Sequence, residues 1–191
     1  MKKTFNIKKN VIWLMLLTCL VSCGMERIKN GDFESGSVSP WFINKPNKNT
    51  SLSIITDSDL PGGGSGALGI TTDKNKRVDI RQNLKAGPGK YKLSMYIDTT
   101  RCSTKSGYVM VQVTGVVGGK WASFTTLATP SNSRHNKTVT VWRKYEKIIT
   151  VPKDGMIKTM WITLVEISGT VMVDRVSLRD YDENEINPVE K

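Results

Sequence analysis

The chain has 191 residues, of which 38% are hydrophobic and 24% charged, with a formal net charge of +11. One histidine and three cysteines exclude a disulfide framework and a zinc site built on His and Cys spacing. The balance suits one domain with a sizeable core, and the basic excess favours anionic partners or simply keeps a surface protein soluble.

In chain order, Lys2, Lys3, Lys8 and Lys9 precede the apolar run "VIWLMLLTCL" at 11–20, which is too short to span a bilayer as a mature helix. Residues 1–22 read as a secretory signal peptide. It closes on "LVSC" at 20–23 with Gly24 following, which resembles the lipobox of bacterial lipoproteins. That resemblance implies cleavage before Cys23, lipidation of its thiol, and firm anchoring in a membrane of the cell envelope. Gly24 after the anchor, in place of an inner-membrane retention Asp, favours the outer membrane. The mature chain keeps 191 − 22 = 169 residues and, without four lysines, a formal charge of +11 − 4 = +7. Cys19 leaves with the leader, and Cys102 is expected to be a half-buried free thiol.

The mature part opens on "NGDFESGSVSPW" at 30–41, too broken for a helix and too polar for a buried strand. Strand signals follow: "SLSIIT" (51–56), "GALGIT" (66–71), "RVDIRQNL" (77–84), "YKLSMYID" (91–98), "YVMVQVTGVV" (108–117), "VTVWRKYEKIITV" (139–151), "IKTMWITLVEI" (157–167) and "TVMVDRVSL" (170–178). Several alternate apolar and polar residues with period two, the mark of half-buried strands. "LPGGGSG", "KAGPGK", "VGGK", "TPSNSRHNK" and "VPKDG" punctuate them as turns. No stretch holds a helical period. The reading is an all-β sandwich over residues 24–178, with a polar tail at 179–191.

Taken in order, "NGDFESG…W", "GSGALGI", "IRQNLKAGPGKYKLSMYI", "VWRKYEKIITVP" and "VMVDRVSL" resemble carbohydrate-binding modules of families 4 and 9. The resemblance runs from about Ile28 to Leu178. It implies a galactose-binding-like jelly-roll of two antiparallel sheets that binds glycan without catalysis. It also implies a structural Ca²⁺ held by Glu34 and Asp174, with a backbone carbonyl from Asp32. The alternative for these acids is turn capping, or pairing with Arg175 and Lys29. Phe33 and Trp41 are expected to pin the first segment to the body.

A sugar site needs aromatic platforms and planar polar groups. Strand positions opposite the apolar parity supply them. Trp161 and Tyr96 are the expected stacking rings, and Arg81, Asn83, Asp98 and Gln112 the expected hydroxyl partners on one surface. Trp121, after the "VGGK" turn, is a further platform candidate. The basic charge points to an acidic polysaccharide or oligosaccharide.

An enzyme is not expected. The carboxylates offered for glycoside hydrolysis, Asp98 and Glu166, sit at regular strand positions, Glu166 with core parity. His135 lies in a polar loop. "GSGALG" (64–69) meets a dinucleotide-binding glycine spacing, but it continues as a strand instead of opening a helix. Single-strand nucleic-acid binding by aromatics on basic strands does not suit an envelope address, and the chain reads as a monomer. The competing function is a structural or adhesion module contacting a protein partner. A flat apolar patch would favour it, and aromatics set among polar groups would favour the glycan.

Overall fold

The structure is a computed structural model, and it describes residues 25–45, 48–56, 59–73, 77–103, 107–128 and 141–183. Residues 1–22, expected to be a signal peptide, together with Cys23, His135 and the end of the polar tail, lie outside the described residues. Among the described residues there are ten strands: β1 (Phe42–Ile43), β2 (Thr50–Ile55), β3 (Ala67–Thr72), β4 (Arg77–Ala86), β5 (Gly89–Ser103), β6 (Tyr108–Val117), β7 (Lys120–Ala128), β8 (Arg143–Val151), β9 (Gly155–Val165) and β10 (Ser168–Asp180). They form a first sheet of order β2-β3-β10-β5-β8 and a second of order β1-β4-β9-β6-β7. Every pairing is antiparallel.

Alternation along each strand builds the core between the sheets. Leu68, Ile70, Leu93, Met95, Ile149, Val173 and Leu178 face inward from the first sheet. Val78, Ile80, Val109, Val111, Val113, Met160, Ile162 and Leu164 meet them from the second. Removing such side chains from water is the main force that holds the sandwich closed.

The first segment is tied down rather than loose. Gln82 sits on the inward parity of β4 and is 1% exposed. Its Oε1 accepts from the Lys29 N–H at 2.8 Å, and its Nε2 donates to the Lys29 carbonyl at 2.9 Å. A buried amide thus does for residue 29 what a neighbouring strand would do. Phe33 and Trp41 are both buried, with ring centroids 6.2 Å apart. The Trp41 indole N–H donates to the Asn30 carbonyl at 3.3 Å. Gly31 lies so close to the Val176 carbonyl that a Cβ there would collide with it.

Two strands have no counterpart among the sequence signals. β1 is two residues long, and β7 loses its period where the register shifts between Val113 and Thr114. Residues 141–142 precede β8 instead of belonging to it. Glu166 does not share the core parity expected of it: β9 stops at Val165, and Glu166 is exposed in the following turn with φ 52°.

Candidate functional site

Register places one continuous row of side chains across the outer face of the second sheet. Phe42 of β1 faces Arg81 of β4, Arg81 faces Trp161 of β9, and Trp161 faces Gln112 of β6. Gln112 then faces Thr126 of β7. Directly opposed residues of an antiparallel sheet point to the same side, so all five share this face. Three of the expected residues, Arg81, Trp161 and Gln112, therefore stand side by side on adjacent strands.

The row is held in place by its own contacts. The Arg81 guanidinium carbon lies 4.8 Å from the Phe42 ring centroid and 5.3 Å from that of Trp161. The cation is thus flanked by two π faces, each attracted to it. The Trp161 indole N–H donates to Thr114 Oγ at 2.9 Å, which fixes the ring and leaves its apolar surface half-exposed. Gln112 Nε2 donates to Thr126 Oγ at 3.3 Å. In the next row, Asp79 accepts from Thr163 Oγ at 2.8 Å and from Arg77 Nε at 2.9 and 3.1 Å.

The face extends along the strands. Asn83, exposed, lies two positions beyond Arg81 on the same side of β4. Trp121, 63% exposed, is opposed to Val116 at the β6–β7 hairpin. Val116 is four residues beyond Gln112 along β6, about 13 Å at an ordinary strand rise. Tyr108 lies four residues to the other side of Gln112 and is also exposed. The face is a run of aromatic and polar groups long enough for several linked sugar units. A cleft of about 240 Å³ opens at its β1–β4 edge, lined by Asn44, Lys45, Arg77 and Asp79.

Tyr96 and Asp98 do not join this face. Both belong to β5, in the first sheet, whose outer side points the opposite way. Tyr96 is half-buried between its register partners Asp174 and Lys144. Asp98 is fully buried and accepts from Thr100 N–H, from Thr100 Oγ at 2.7 Å and from Val141 N–H at 2.7 Å. It organises the approach of residue 141 to β8 and has no oxygen turned to solvent. Among the aromatic residues of the face, Phe42 and Tyr108 are not among those expected from the sequence, nor is Thr126 at the end of the row. A two-residue strand gives Phe42 no period, whereas Tyr108 carried the right parity and was passed over.

The acids of the first segment lie on the other side of the molecule. Glu34 accepts from Ser65 Oγ at 2.7 Å, from Ser65 N–H at 2.8 Å and from Gly66 N–H at 3.2 Å. These donors hold its carboxyl below the usual range, the Ser65 hydroxyl most strongly. It thereby staples the first loop to the start of β3. Asp174 is 1% exposed, and its Oδ2 is buried without a hydrogen-bond partner. Burial pushes its carboxyl up to about 6, and the charges of Glu34 and Asp32 push the same way, against the Arg175 N–H and the Arg175 charge. Arg175 Nε donates to the Pro61 carbonyl and its Nη2 to the Gly62 carbonyl at 2.9 Å. A cleft of about 280 Å³ beside it is lined by Asn30, Gly31, Asp32 and Arg175. Among the described residues no group of three His, Cys, Asp or Glu converges as metal ligands. The orphaned Asp174 oxygen fits a cation, but the oxygens of Glu34 are already engaged. Most of a Ca²⁺ shell would fall to carbonyls and water.

Comparison with known proteins bears on the fold. No family model matches the chain, and no curated protein matches it. Solved structures do. The carbohydrate-binding module TmCBM61, in complex with β-1,4-galactotriose, superposes with a TM-score of 0.56 at 18% identity, over 82% of this chain and 99% of that one. A CBM22-1 xylan-binding domain from Paenibacillus barcinonensis Xyn10C gives 0.57 at 11% identity, over 83% and 96%. The enzymatically active domain of tailspike protein 4 from bacteriophage CBA120 gives 0.59 at 9% identity, and this chain spans 21% of it. The architecture is thus a β-jelly-roll sandwich, the fold of these structural neighbours.

Proposed function

We propose that the protein binds carbohydrate without catalysis, through the outer face of the second sheet, as a lipid-anchored protein of the bacterial cell envelope. The observation that carries this reading is the row Phe42–Arg81–Trp161–Gln112–Thr126. It sets an oriented indole among fixed planar donors, which is what the apolar C–H faces and hydroxyl rims of sugars require. The open, extended form of the face suits a polysaccharide chain better than an enclosed small molecule. Two of its rings, Phe42 and Trp121, are separated by polar groups rather than merged into an apolar patch, which favours a glycan over a protein partner. The galactotriose and xylan bound by structural neighbours support the same class of ligand.

Under this reading the lipidated Cys23 would hold the sandwich close to the membrane, where it would tether polysaccharide for other proteins. A structural Ca²⁺ at Asp174, sharing the neighbourhood of Glu34 and Asp32, would neutralise a buried carboxylate whose Oδ2 accepts no hydrogen bond and has only the Arg175 Nε, 4.0 Å away, as a charge partner. The test of function is affinity electrophoresis of the purified protein in gels containing single polysaccharides. Retardation in at least one gel, lost in Trp161→Ala, is expected. Unretarded migration across the whole panel would refute the reading.

A further inference from the structure

Arg81 stands between Phe42 and Trp161 in the row, and its electrostatic situation is incomplete. Its guanidinium is flanked by Phe42 and Trp161, and its Nε is buried without a hydrogen-bond partner. The nearest acid along its strand and on its face, Asp79, is already committed to Arg77 and Thr163. Among the described residues Arg81 forms no ion pair. A partly desolvated cation with an unmade N–H bond is costly to keep. The two rings beside it offset part of that cost through their attraction for the cation. A guanidinium held beside rings instead of a carboxylate keeps its charge unmatched, and its planar N–H fork is the group that pairs with a carboxylate through two parallel hydrogen bonds.

We infer that the ligand of this face is a polysaccharide of carboxylated sugars, a polyuronate, with one carboxylate paired to Arg81 while the adjoining ring stacks on Trp161. The inference rests on the reading of the face as a glycan site and adds the substrate class. The chemistry is recognition only; no bond is made or broken. Gln112 and Asn83, on the same side, would take the neighbouring hydroxyls.

The experiment is affinity electrophoresis of the purified protein in polygalacturonate and in alginate, with methyl-esterified polygalacturonate, β-1,4-galactan and xylan as neutral counterparts. Retardation by a polyuronate is expected, weakened about tenfold or more when its carboxylates are esterified, which is the loss of one charge-assisted pair. Arg81→Gln should weaken binding by a similar factor. Arg81→Lys, which keeps the charge and loses the fork, should fall between. Lys147→Gln removes the same charge from the opposite sheet and should leave migration unchanged. Equal binding of free and esterified polymer would overturn the inference, as would an equal loss in Lys147→Gln, the sign of charge attraction alone. Retardation only by galactan or xylan would overturn the polyuronate and leave the glycan reading standing. Retardation in no gel would overturn both.

Discussion

Gln82 and Arg81 are neighbours in sequence with opposite tasks. Gln82 points into the sandwich, where an amide is tolerated only if both of its ends are bonded, and Lys29 supplies both. Gln82→Ala leaves a backbone N–H and a carbonyl of residue 29 without partners. It should cost about 1–3 kcal/mol, read as an earlier midpoint in urea, while glycan binding by the fold that remains is unchanged. A midpoint equal to that of the parent protein would show that water satisfies Lys29. Arg81 points out, and its aromatic flanks set its direction. Alternation in "RVDIRQNL" made both orientations legible. It could not do the same for Asp98, whose outward parity is real in the strand but is covered by the chain at residue 141. Cys102 is a half-truth of the same kind: a free thiol, yet buried, with Sγ donating to the Thr170 carbonyl at 3.0 Å. Burial pushes it up to about 12, Asp98 adding to the effect, so it is no nucleophile at neutral pH.

At the scale of elements, the long regular strands could be read and the irregular ones could not. β4, β6 and β9 keep period two over the stretch that carries the row, so Arg81, Gln112 and Trp161 were found together. Period two says which side of a strand is apolar. It does not say which of two sheets the strand joins, and that is why Tyr96 of β5 was grouped with residues that face the other way. β7 was hidden by its irregular register with β6, where Phe124 is the extra residue between the partners Ser123 and Thr125. β6 and β9 also change register between Thr114 and Gly115, and there a Cβ on Gly115 would collide with the Met156 carbonyl. Close approach of two backbones is the reason for glycine at this position. Gly115→Ala should therefore force the strands apart, at a cost of about 1–3 kcal/mol. Because Thr114 holds the Trp161 ring, the same change should weaken glycan binding. A fully stable Gly115→Ala protein would show that the strands slide without penalty.

For the whole molecule, the first segment closes the sandwich at one end while the proposed binding face lies on one sheet. Asp174 connects closure to conditions. Its folded-state carboxyl, near 6, lies above the ordinary value of 3.8, so the native protein holds a proton that the unfolded chain has already lost between those values. Its contribution to stability is complete below about pH 4 and disappears as pH rises through 6, a swing on the order of 3 kcal/mol. Ca²⁺ at the orphaned oxygen would replace the proton. Chelator-treated protein should lose melting temperature between pH 4 and 6.5, and added Ca²⁺ should restore it at pH 7. Asp174→Asn should abolish both effects. An unchanged melting temperature with Ca²⁺ at pH 7 would remove the metal and leave Glu34 as a staple bonded to Ser65 and Gly66 alone.

The central claim is that sugar is held by the outer face of the second sheet. Trp161 and Tyr96 are both half-buried aromatics on outward strand positions, but they lie on opposite sheets. The most direct measurement compares Trp161→Ala with Tyr96→Ala by affinity electrophoresis in whichever polysaccharide retards the parent protein. Trp161→Ala is expected to migrate as if no polysaccharide were present, whereas Tyr96→Ala is retarded like the parent. Retention in Trp161→Ala with loss in Tyr96→Ala would place the site on the first sheet and contradict the claim.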